Sequence, residues 1–211
     1  MSKFAILHAP QRFDDLVFAD PSVAQRLKQY AEGQRTKSII LHGAYGSGKS
    51  TIARLLVQAR DPVNKGFWET INCSHAETGF LNPVEGTWRF SEWLSVEPMC
   101  VLEEVDMLSR KLQFLLRAFM DAYGGMFIMT TNHPYMIDGS IRSRCDDIEI
   151  VPPHPKDYLA VAQNILAQYQ VTVDQESLTQ LLLECHNWRH VLGVLEDIVQ
   201  EHRLLSQKTV A

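Results

Sequence analysis

Eight consecutive residues, Gly43, Ala44, Tyr45, Gly46, Ser47, Gly48, Lys49 and Ser50, fit the spacing GxxxxGK[ST]. They stand between the apolar run Ile39-Ile40-Leu41 and a helical pattern that opens at Thr51. Strand, glycine-rich loop and helix in that order make a phosphate cradle. Glycine lets the backbone wrap closely with its N–H groups turned inward, and the helix N-terminus adds partial positive charge. In such a loop Lys49 reaches the β- and γ-phosphates of a nucleoside triphosphate, and Ser50 supplies a hydroxyl to Mg²⁺. A chance glycine-rich turn is the competing explanation, but four fixed positions match by luck in only about one chain in a hundred of this length. The expected ligands are therefore ATP and Mg²⁺, held by residues 43–51.

A second group of side chains could complete the chemistry. The run Met99-Cys100-Val101-Leu102 leads into Glu103-Glu104-Val105-Asp106, carboxylates at the C-terminal end of a buried strand, where open α/β sheets bind their ligands. Glu103 is expected to hold Mg²⁺ through water, and Glu104 to polarise an attacking water as general base. A solvated acidic turn ahead of the helix near Leu108 is the plainer alternative. The strand Phe127-Ile128-Met129-Thr130 ends in Thr131-Asn132. Asn132 could orient the lytic water, although an Asn in that place is more often a turn former.

The elements that must position these groups can be read from periodicity. Apolar runs at 38–42, 67–71, 99–102, 126–130 and 148–151 read as buried parallel strands, the last also as a strand over Asp147-Ile148-Glu149-Ile150. Between them lie amphipathic stretches such as Ile52, Leu55 and Leu56, and Leu112, Leu115, Leu116, Phe119 and Met120. Strand alternating with helix predicts an α/β fold of the P-loop NTPase kind, a parallel five-stranded sheet with helices on both faces. After Pro152-Pro153-His154-Pro155 three helical patterns follow with no strand between them, at 158–169, 175–185 and 188 to about 205. The proline cluster marks the expected boundary between an α/β domain at 1–153 and a small all-helical lid at 154–211.

Composition sets further limits. With 45% hydrophobic and 21% charged residues the chain can bury a substantial core. It has no apolar stretch long enough to span a bilayer and no secretory h-region after Met1, so a cytoplasmic location without membrane contact is expected. The four cysteines, Cys73, Cys100, Cys145 and Cys185, form no close pair and read as buried thiols. Trp68, Trp88 and Trp93 read as packing residues. A net charge of −5 means that any contact with DNA needs a local patch or several copies.

Beyond these signals the chain resembles the small subunits of sliding-clamp loaders, within the AAA+ ATPases. The resemblance runs through Phe13-Asp14-Asp15-Leu16-Val17, Asn72-Cys73-Ser74, Glu103-Glu104-Val105-Asp106, Thr131-Asn132, Ser143-Arg144-Cys145 and Asn187-Trp188-Arg189-His190. It implies an ATP-binding and hydrolysing subunit of an oligomeric, DNA-associated machine, with ATP at subunit interfaces. Arg144 would be an arginine finger acting in trans, with Arg142 as a second choice, Asn132 sensor 1, and Arg189 sensor 2 acting in cis. The implied partners are other AAA+ subunits, DNA touched by Arg110 and Lys111, and a sliding clamp or other DNA-bound protein. Three departures stand out: Glu103 where the family has Asp, His8-Ala9-Pro10 where it has Tyr-Arg-Pro near the adenine, and no helical collar after the lid. They leave open a nucleotide-gated scaffold of the helicase-loader or transposition-regulator type with weak hydrolysis. A small-molecule kinase also suits a phosphate loop with a helical lid, but explains neither the Glu104 and Asp106 pair nor Ser-Arg-Cys.

Overall fold

Alternating side chains along the first strand decide how the layers form. In the computed structural model, which describes residues 2–61, 68–94, 96–185 and 187–209, β1 (Ser38–His42) sends Ile39 and Leu41 to one face of a sheet and Ile40 to the other. The same two-residue period places Met99 and Val101 of β3 (Met99–Glu103) on the first face and Cys100 and Leu102 on the second. Each face needs its own cover. Helices α2 (Pro21–Ala31) and α3 (Lys49–Arg60) close the first with Leu27, Tyr30, Ile52, Leu56 and Val57. Helices α4 (Asn82–Trp93) and α5 (Arg110–Ala122) close the second with Val84, Trp88, Leu112, Leu116 and Phe119. This sheet coated on both sides is the expected fold.

With β2 (Trp68–Asn72), β4 (Met126–Thr131) and β5 (Cys145–Glu149), the strands lie in the order β2-β3-β4-β1-β5, and every pairing is parallel. All strand C-termini therefore share one end of the sheet. The strand expected at 67–71 is seen from Trp68 onward, and Phe67 lies outside the described residues.

The last strand corrects the sequence reading, for it begins at Cys145 and not at Asp147 or Ile148. Its inward positions Cys145 and Ile148 are buried, and between them stand Asp146 and Asp147. Asp146 is neutralised by Arg26 at 2.8 Å, Lys37 at 3.1 Å and Arg35 at 3.4 Å. Asp147 faces His42 at 3.1 Å and pairs with Arg142. An edge strand tolerates such charges when neighbouring cations answer them. Trp93 is a second correction: Trp88 is in the core at 1% exposure, but Trp93 is 82% exposed. Five residues on a helix turn through about 500°, so Trp93 points away from the face that Trp88 packs.

The helical expectation after the prolines holds. Helices α7 (Leu159–Gln168), α8 (Gln175–Leu183) and α9 (Trp188–Thr209) enclose a separate cluster of Ile165, Leu166, Leu178, Leu182, Leu192 and Leu195. The short α6 (Gly139–Arg142) precedes β5. The first helix, α1 (Lys3–Leu7), joins the C-terminal layer: Phe4 and Ala5 pack on that cluster, Ser2 Oγ donates to Glu196 Oε2 at 2.6 Å, and His8 Nε2 lies 2.7 Å from Tyr169 Oη. All four cysteines are buried and free. Among the described residues no helix is long and apolar enough to cross a membrane.

Candidate nucleotide-binding site

The glycine-rich loop leaves β1 at its C-terminal end and turns into α3 at Lys49. Gly43 has φ +142°, and a Cβ there would stand 2.4 Å from the Ile150 carbonyl oxygen, so the loop passes closer to the chain after β5 than any side chain allows. Gly48 has φ +92°, yet a Cβ on it would meet nothing within 4 Å. The concave face is open there. Lys49 is 8% exposed; its Nζ donates to the carbonyls of Ala44 at 2.7 Å and Gly43 at 3.0 Å, and to Ser47 Oγ at 3.3 Å. Burial lowers its pKa, opposed by the charge of Asp106. Among the described residues it makes no ion pair. A buried ammonium held only by neutral oxygens beside an open cradle suits an anionic ligand. Ser50 is exposed at the first turn of α3, and Thr51 is half-buried one residue on.

Parallel pairing brings the other expected groups alongside. His42 pairs with Thr131, and Leu102 with Met129, so β4 lies between β1 and β3. Asn132 therefore emerges between Gly43 and the Glu103-Glu104 turn. Glu103 is half-buried at the end of β3; Glu104 is exposed and adopts φ 56°, ψ 47°, the left-handed region that non-glycine residues rarely occupy. Its N–H donates to Thr130 Oγ1 at 3.3 Å. Residues held in such a conformation cluster at functional sites.

Asp106 is no solvated turn residue. It is 6% exposed and accepts a 2.7 Å hydrogen bond from Thr131 Oγ1, which itself receives the N–H of His133 at 2.9 Å. The acidic turn is thus tied to the loop that carries Asn132. Buried Gln113 makes a second tie: Nε2 donates to the carbonyls of Leu108 and Met136, both at 3.1 Å, and Oε1 receives the N–H of Asp138 at 2.7 Å. Tyr45 is exposed at the loop tip, with its hydroxyl 3.4 Å from His133 Nε2.

A cavity of about 350 Å³ opens beside Gly46, Ser47 and Gly48. Its other walls are His8, Ala9 and Pro10, the stretch Asp15-Leu16-Val17, and Tyr158, Asn164 and Trp188 from the helical layer. Backbone N–H groups of Arg12 and Gln11 hold the Asp15 carboxylate at 2.8 and 3.1 Å and lower its pKa, fixing the turn that brings Leu16 to the cavity. The sequence reading gave His8-Ala9-Pro10 as a departure from the family's Tyr-Arg-Pro near the adenine, and assigned none of the residues of the helical layer to this cavity. The packing of Trp188 against Tyr158, at 4.9 Å between ring centroids, has no signature along the chain.

Two other expected groups differ in where they lie. Arg189 is exposed at the start of α9, two residues past Asn187, whose side chain lies where a Cβ on Gly46 would approach to 3.4 Å. Arg144 sits at the opposite end of the sheet, because Cys145 pairs with Ser38 at the beginning of β1. Its Nε donates to Asp121 Oδ1 at 2.7 Å, Nη2 to Asp121 Oδ2 at 3.0 Å and Nη1 to the Ser140 carbonyl at 2.6 Å. The pairing raises the pKa of Arg144 and lowers that of Asp121. Arg110 and Lys111 are exposed at the N-terminus of α5.

Known proteins share this layout. A Thermotoga maritima RuvB structure superposes with a TM-score of 0.69 at 13% identity, covering 92% of this chain and 71% of that one, a likeness of fold. The replication factor C small subunit 1 of Pyrobaculum islandicum is 23% identical over 97% of this chain and 64% of its own length. The replication factor C small subunit of Staphylothermus marinus is 26% identical over 81% of this chain and 54% of its own. The chain thus spans between half and two thirds of these relatives. The profile of the ATPase family associated with various cellular activities matches residues 39–153. That match runs from the first strand to the prolines after the fifth, more than half of the sequence, and on it the chain belongs to the AAA family of ATPases.

Proposed function

We propose that the chain is an ATP-hydrolysing subunit of an oligomeric, clamp-loader-like machine, in which each nucleotide lies between two copies or related subunits. Residues 1–153 form the nucleotide-binding unit and residues 154–211 its lid. The observation that carries this reading is the separation of Arg144 from Lys49. The phosphate loop follows the C-terminal end of β1, whereas Arg144 precedes the residue paired with Ser38 at the other end. Four strand steps, roughly 13 Å, separate the two ends. Arg144 therefore serves the nucleotide of a neighbour.

In this reading the loop N–H groups and Lys49 bind the β- and γ-phosphates, and Glu104 takes the proton of a water that Asn132 orients. Ser50 and Glu103 would hold Mg²⁺, which withdraws charge from the phosphate oxygens. Arg189 would reach the γ-phosphate from the lid, while Arg144 stabilises the charge that develops on the neighbour's phosphoryl oxygens. The replication factor C likeness supports DNA and a DNA-bound protein as partners, with Arg110 and Lys111 as phosphate contacts.

Replacing Arg144 by Ala tests the reading. Hydrolysis should fall by about 10³-fold while nucleotide affinity stays within a factor of two or so. Mixing Arg144→Ala copies with Lys49→Ala copies should restore part of the rate, because each supplies what the other lacks. Parent-rate hydrolysis by Arg144→Ala, or failure of the mixture to recover, would count against a shared site.

A further inference from the structure

We propose that Asp121 is the positioning residue of Arg144, holding its guanidinium so that one edge is presented to the nucleotide of a neighbouring copy; the inference rests on the trans reading of Arg144 given above. A guanidinium carries five N–H donors in a fixed plane. Asp121 takes the side-on edge through Nε at 2.7 Å and Nη2 at 3.0 Å, and the Ser140 carbonyl takes one N–H of Nη1 at 2.6 Å. Two donors remain, one on each terminal nitrogen. The free Nη2 donor lies on the end-on edge, the side from which a guanidinium meets the oxygens of a phosphoryl group.

This stereochemistry separates positioning from restraint. A carboxylate that sequestered the finger would occupy the end-on edge, and Asp121 leaves that edge free. The flexible four-bond stem of Arg144 is ordered before a neighbour arrives, so the encounter does not have to order it. Arg142, two residues earlier, pairs instead with Asp147. The Arg144 and Asp121 side chains are 35% and 49% exposed, and pairs of that kind add little to fold stability. Asp121 can therefore be changed without unfolding the protein.

The test compares Asp121→Ala, Asp121→Asn and Asp121→Glu with the parent in the nucleotide-bound assembly, reading kcat beside the affinity for a fluorescent ATP analogue. Asp121→Ala and Asp121→Asn should lose at least tenfold in kcat with affinity within twofold, and Asp121→Glu should recover part of the loss. The double variant with Arg144→Ala should be no slower than Arg144→Ala alone, the mark of two residues acting as one unit. Lys49→Ala copies, which carry intact Asp121, should rescue Asp121→Asn copies in mixtures. If Arg144→Ala is slow but Asp121→Ala matches or exceeds the parent, Asp121 is a bystander or a restraint and the proposal is overturned while the trans reading stands. Additive losses in the double variant overturn it as well. Parent-rate hydrolysis by Arg144→Ala removes the trans reading itself, and this proposal with it.

Discussion

The hydroxyl of Thr131 donates to the buried carboxylate of Asp106 at 2.7 Å, joining the end of the fourth strand to the acidic turn after the third. Thr131→Val keeps the shape and removes the donor, leaving a buried acceptor unsatisfied. The expected loss is about 1–3 kcal/mol. It should be seen as a lower urea midpoint with unchanged slope.

Glu104 bears the catalytic proposal on a left-handed backbone. Left-handed geometry costs a non-glycine residue about 1–2 kcal/mol, part of which glycine avoids. Because the side chain is exposed, Glu104→Gly should stabilise the protein by about 1 kcal/mol and abolish hydrolysis while nucleotide still binds. Denaturant titration beside a phosphate-release assay would reveal both effects.

Two glycines of the phosphate loop should fail differently. Gly43→Ala drives a Cβ into the Ile150 carbonyl oxygen and should cost at least about 2 kcal/mol in stability. Gly48→Ala meets nothing in the chain; its stability loss should be smaller, about 1 kcal/mol, and its main effect should be lost nucleotide affinity. Thermal melts with and without ATP would separate the two.

Asp146 should show in the acid limb of stability. Burial alone would raise its pKa, but hydrogen bonds from Arg26, Tyr30 and Lys37 outweigh that and hold the carboxyl well below the usual range. A depressed folded-state pKa means that the stabilisation is complete above the unfolded value, near about 4, and fades as pH falls through the folded one. Between about pH 5 and pH 2 the parent should therefore lose more stability than Asp146→Asn. Equal slopes in urea titrations over that range would contradict the assignment.

The sheet was legible where burial leaves a local trace. Apolar runs at Ile39-Ile40-Leu41 and Phe127-Ile128-Met129 mark strands covered on both faces, and the loop spacing places the cradle between strand and helix. The start of β5 was hidden because its acids are answered by Arg26, Lys37 and His42, which are distant in sequence. The helix α4, which carries Pro83 and Gly86, was not named from the sequence. A solvated turn stayed open as the alternative for Asp106 because the hydroxyl that satisfies it lies 25 residues away. The cavity wall at Tyr158 and Trp188 depends on how the helical layer sits against the loop, which no linear pattern records.

The first turn of the chain rides on its last helix, through Ser2 and Glu196 and through Phe4 in the C-terminal cluster. Any swing of that layer as a base enters or leaves must drag residues 2–8 with it. The amino end is thus a natural lever arm: a dye at Lys3, paired with one on the sheet, would read opening directly, and a bulky tag fused there would burden the movement.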